Sequence, residues 1–168
     1  TVSGGGSHTG IGIHLEQCGA LQIGGPVGEG NWISGAAFDE QLTPLSGGHT
    51  RIAVQLSAPH LEELPRFIEG NSLIVGGAPD AATIGRAWAI DVDGLASLII
   101  RHNGPIVGCQ PACGNPLVSS TYSSPKPLAV GVSWHSGCSR SEQCIISDNH
   151  FISGGPIHAT VDTDTPNH

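Results

Sequence analysis

Charge is scarce in this chain. Only 12% of its 168 residues are Asp, Glu, Lys or Arg, well below the share of an ordinary globular domain. Lys126 is the single lysine, the arginines are scattered, and no basic run occurs. That excludes the phosphate-neutralising surface a nucleic-acid partner requires. The net charge of −8 keeps the domain soluble and carries no recognition signal of its own. Long apolar runs are missing as well, so no membrane span is expected; nothing approaches the roughly 20 apolar residues that crossing a bilayer needs. The opening TVSGGGSHTG has neither a basic start nor an apolar stretch. No signal peptide is expected there, Thr1 following either a removed leader or a trimmed Met. Aromatics make up 4%, too few for a platform on which sugars or bases could stack.

The five cysteines are Cys18, the pair Cys109 and Cys113, and the pair Cys138 and Cys144. No Cys-x-x-Cys knuckle or redox motif is among them. Two readings stay open. Cys109, Cys113, Cys138 and Cys144 are candidates for short-loop disulfides, which would place the protein outside the cell or on a particle surface such as a virion. Buried free thiols are the other reading.

What the chain has in quantity is glycine (25), proline (12) and alternation. RIAVQL sets Ile52, Val54 and Leu56 on one parity, and RAWAIDV does the same with Trp88, Ile90 and Val92. LAVGVSW repeats it with Leu128, Val130, Val132 and Trp134, and IGIHLEQ with Ile11, Ile13 and Leu15. Period two is the signature of half-buried strands, apolar inward and small or polar outward. ALQIGG, NWISGAAF, NSLIVGG, LASLIIRH, QCIIS and IHATV add further candidates, with Gly-Gly, Asn-Gly-Pro and Ser-Pro turns between them. About ten short strands so punctuated predict an all-β fold, a sandwich or a jelly-roll-like barrel. One short helical turn segment is expected near 58–69, with Ser57 as N-cap, Gly70 as the stop and Pro65 interrupting it. The chain reads as a single β-rich domain over 1–168, with its ordered core at 10–161, a long surface loop at 108–127 and a polar tail at 162–168. No internal repeat of fixed period is visible.

Three sets of residues could carry chemistry. In HFISGGPIHA, residues Ser153-Gly154-Gly155-Pro156 resemble the end of the Gly-Asp-Ser-Gly-Gly-Pro signature of trypsin-like serine proteases. His49, Asp91 and Ser153 occur in that family's chain order, so the resemblance implies a compact hydrolase with Ser153 as nucleophile. IVGG at Ile74–Gly77 resembles the mature start of such enzymes. The pattern departs from the family where Phe151 stands in place of the glycine that lets backbone amides meet the oxyanion. His14 and Glu16 share one strand face, and His-x-Glu on a strand is similar to the first motif of cupins, a weak metal-site candidate. Asn103, Asn115 and Tyr122 fall at turn or loop tips and are candidate binding contacts.

No cofactor is implied. The composition favours a non-catalytic structural or binding β-domain over an enzyme. It would act through self-association or through ligand capture by its loops, as a shell or fibre subunit or a secreted module. Ala, Gly and Ser on the nominal outer faces and the lack of edge-blocking lysines point to a homo-oligomer. The further partner, small ligand or protein, is left open. The serine hydrolase is the alternative.

Overall fold

The computed structural model describes residues 1–6, 8–17, 19–26, 30–37, 40, 49–57, 66–77, 86–94, 97–109, 128–135 and 144–154. They form thirteen strands and no helix, as the period-two pattern requires. Three sheets hold them. Sheet A contains β1 (Val2–Ser3), β4 (Trp32–Ser34), β7 (Leu73–Val75), β10 (Pro105–Val107) and β13 (Phe151–Ser153). Sheet B contains β2 (Thr9–Glu16), β5 (Thr50–Ser57), β8 (Arg86–Asp93) and β11 (Leu128–Trp134). Sheet C contains β3 (Leu21–Gly24), β6 (Arg66–Glu69), β9 (Leu98–Arg101) and β12 (Cys144–Ser147).

Every ladder is parallel, and each strand pairs with the strand three elements away. The chain therefore passes through sheets A, B and C in strict rotation, which is the path of a parallel β-solenoid. A sandwich or jelly roll would pair neighbours in sequence as antiparallel hairpins. Alternation specifies which side chains share a face but not which strand lies alongside. The all-β expectation holds; its two-sheet form differs from the three parallel sheets seen.

The expected helical segment near 58–69 is corrected in part. Arg66–Glu69 is a strand, with Arg66 and Ile68 buried and Phe67 and Glu69 half-buried, at period two. Residues 58–65 lie outside the described set, as do 110–127 of the expected surface loop and the tail at 162–168.

The interior is a set of aligned apolar columns. Ile33, Ile74 and Ile106 stack in register along sheet A, and Ile68 and Ile100 along sheet C, all with no exposed surface. Each such isoleucine contributes about 1.5–3 kcal/mol through burial. In sheet B the alternation slips. All three ladders skip the column Gly12, Ala53, Ala89, Gly131. At that interruption consecutive residues, Ala53 with Val54 and Ala89 with Ile90, join the same core. Ile52, Trp88 and Val130 form a separate cluster with Ile11. Ile52 and Val54, read as one face, thus serve two clusters. The small residues expected to point outward, Ala53, Ala87 and Ala89, are wholly buried, and Arg51 is 6% exposed. Arg51 Nη2 donates to the Gly6 carbonyl at 3.0 Å, and burial lowers its pKa. Small side chains sit here because coils close on themselves, not because a neighbour covers them.

Two corners flank sheet A. On entry, Asn71, Asn103 and Asn149 stack as an amide ladder. Asn103 Oδ1 accepts from Asn71 Nδ2 at 2.9 Å and from the Asn71 backbone N–H at 3.1 Å. Its Nδ2 donates to the Ile68 carbonyl and to Asn149 Oδ1, both at 2.9 Å. That uses the full capacity of the amide. On exit, Ser3, Ser34, Val75, Val107 and Ser153 are in register, and glycine follows in all five: Gly4, Gly35, Gly76, Gly108, Gly154. The N–H of each of the first four donates to the next coil, as from Gly76 to Val107 O at 2.9 Å. A Cβ on Gly4 would lie 2.6 Å from the Ile11 backbone, and one on Gly108 would lie 2.5 Å from that of Val130. The exit of sheet A runs against the backbone of sheet B, so only glycine fits.

Candidate functional site

The coil sequence gives Ser153 its meaning. Ile152-Ser153-Gly154 occupies the same place as Val2-Ser3-Gly4, Ile33-Ser34-Gly35, Ile74-Val75-Gly76 and Ile106-Val107-Gly108. The two segments that resemble serine-protease motifs are copies of one structural corner. Ser153 lies in β13 of sheet A, paired to Val107. His49 precedes β5 in sheet B, its ring stacked on His8 at 5.2 Å. Asp91 stands at the level of Gln55, about 16 Å further along the strands than Thr50, the residue after His49. Its carboxylate meets His135 Nε2 at 2.9 Å and Gln55 Nε2 at 3.3 Å. The structure does not bring His49, Asp91 and Ser153 together.

The other candidates fall as follows. His14 and Glu16 do share a face of β2, with Nε2 and Oε1 3.4 Å apart. Among the described residues no group of three or more His, Cys, Asp or Glu could hold a metal ion. Asn103 is not an exposed contact: it is 3% exposed, and its amide is spent in the ladder. Asn115 and Tyr122 lie outside the described residues. Cys109 and Cys144 are disulfide-bonded, Cys109 with no exposed surface, while Cys113 and Cys138 lie outside the described set. No helix of the described residues is long and apolar enough to cross a membrane.

The feature sequence reasoning missed is the exposed apolar surface of the last described coil. β11, β12 and β13 are the edge strands of their three sheets, all at the same end of the stack. The interior column of sheet C runs Ile23, Ile68, Ile100, Ile146. Its members are 6%, 0%, 0% and 46% exposed. Among the described residues the exposed large hydrophobics, Ile145, Ile146 and Phe151, all belong to this last coil. An inward-facing isoleucine left half exposed on the last described coil of a stack of parallel strands marks a face that a further layer could cover.

The chain matches no protein-family model, no curated protein and no solved structure at a significant level.

Proposed function

We propose that this is a non-catalytic β-solenoid domain that works by self-association through its C-terminal end, as a shell, fibre or surface subunit. The single observation that carries the reading is the 46% exposure of Ile146, in a column whose inner members have none. A second copy seated on this coil would cover Ile145, Ile146 and Phe151. A repeating architecture makes such stacking cheap, since each coil already contacts only its neighbours.

Sedimentation velocity over a wide concentration range tests this. Association that rises with concentration, and that Ile146→Lys reduces, is the expected outcome. A compact monomer at the highest concentration would overturn it. The disulfide bonds at Cys109 and Cys144 support an oxidising location, extracellular or on a particle surface. The pairing proposed is Cys109 with Cys113 and Cys138 with Cys144. Thiol counting under denaturing conditions should then find one free thiol, Cys18, rising to five with reductant.

A further inference from the structure

One asparagine of the entry corner carries chemistry that the ladder does not use. Asn103-Gly104 is the only Asn-Gly dipeptide in the chain. Packing dictates both of its residues. Asn103 bonds to Asn71 in the coil before and to Asn149 in the coil after. A Cβ on Gly104 would lie 2.1 Å from the Ser72 carbonyl oxygen, so position 104 takes only glycine. Together these constraints write the dipeptide in which an asparagine side chain is most open to attack by its own backbone. With no Cβ on the following residue, nothing shields Cγ from that residue's nitrogen. Asn71 and Asn149 precede Ser72 and His150, which do carry a Cβ.

The reaction needs no outside reagent but water. The Gly104 backbone nitrogen, after losing its proton to solvent, attacks Asn103 Cγ and forms a cyclic imide. The Cγ–Nδ2 bond breaks, and ammonia leaves after taking a proton back from solvent. Water then adds to one of the two imide carbonyls. The products are aspartate, or isoaspartate in which the main chain runs through Cγ.

In the folded protein both reacting groups are held. The Gly104 N–H donates to the Asn71 carbonyl at 2.7 Å. Asn103 Oδ1 accepts from the Asn71 backbone and side chain, and Nδ2 donates to the Ile68 carbonyl and Asn149 Oδ1. Attack requires the N–H to be surrendered and the amide to turn and release its bonds, in a residue only 3% exposed. Nor does the product fit the ladder. Aspartate puts an oxygen where Nδ2 donated, acceptor against acceptor, and leaves a buried carboxylate short of donors. Isoaspartate lengthens the main chain where Gly104 passes against Ser72.

We propose that Asn103-Gly104 is a latent self-modification site. It is silent while the coils are stacked, converts to aspartate or isoaspartate when this corner opens, and then keeps the coil from closing again. The fold thus carries a one-way latch in the middle of the stack, separate from the association proposed at the last coil.

The test ages the full chain, disulfides intact, in mildly alkaline buffer, folded in one arm and unfolded in guanidinium chloride in the other. Peptide mass mapping, with chromatographic separation of the aspartate and isoaspartate forms, follows residue 103. In the unfolded arm Asn103 should convert ahead of Asn71 and Asn149. Asn103→Gln, whose longer side chain closes such a ring far more slowly, should abolish that conversion whether or not the variant folds. In the folded arm conversion should be at least about tenfold slower, because it must await local opening. A smaller difference, or no conversion in the unfolded arm, overturns the proposal. Asn103→Asp tests the latch directly: it should fail to fold or unfold at markedly lower denaturant, and a midpoint equal to the parent's overturns it.

Discussion

The corner entering sheet A is held by asparagines that bond to one another from coil to coil, whereas the corner leaving it is held by five glycines with no side chain at all. The first is specified by what is present. Asn71, Asn103 and Asn149 satisfy backbone groups that a tight turn would otherwise leave bare, and the ladder carries each coil into register with the next. The second is specified by what is missing, since the two backbones pass too close for a Cβ. A bonding corner should fail gradually, in proportion to the hydrogen bonds lost. An excluded-volume corner should fail abruptly.

Substitutions at the two corners separate these behaviours. Gly76→Val, in the middle of the stack, would drive side-chain atoms into the Gly108 and Trp88 carbonyls. A loss above about 4 kcal/mol is expected, enough to abolish the cooperative unfolding transition seen by circular dichroism. Asn103→Leu strands the Asn71 backbone N–H and the Ile68 carbonyl. It should cost about 3 kcal/mol in chemical denaturation. Asn149→Leu removes the last member of the ladder, half-buried and with fewer bonds. About half the Asn103 loss is expected, and an equal or larger loss would show that the ladder does not weaken toward β13. Gly5→Ala is the control: nothing lies within 4 Å of its added methyl, and the midpoint should move by less than about 0.5 kcal/mol. If Gly5→Ala proved as damaging as Gly76→Val, excluded volume would not be the rule at that corner.

Much of the fold was legible in the order of residues. RIAVQL, RAWAIDV, LAVGVSW and IGIHLEQ are strands where period two places them, and they lie side by side in one sheet. The coil was not legible, because equivalent isoleucines fall at unequal intervals, at positions 33, 74, 106 and 152. The stretches between them differ in length, which hides the repeat from any search at fixed period. The signal that could have revealed it was the recurring Ile-Ser-Gly or Ile-Val-Gly, which instead resembled pieces of a protease. Asn103 looked like an exposed turn residue because Asn-Gly-Pro is a turn. It is one, but its side chain faces the neighbouring coils. The pairing of Asp91 with His135 joins residues 44 apart, and only the parallel register makes them neighbours.

The glycine corner has a consequence for how such a chain changes length. Gly35 and Gly76 hold the same place in successive coils, so deleting residues 36–76 would join β4 directly to the segment leading into β8, the partner of β5. Sheet A would still hand over to sheet B, and the remaining ladders would close with one layer fewer. Gain and loss of whole layers is thus a small step in the gene, and the height of the column can vary between descendants while its cross-section stays the same.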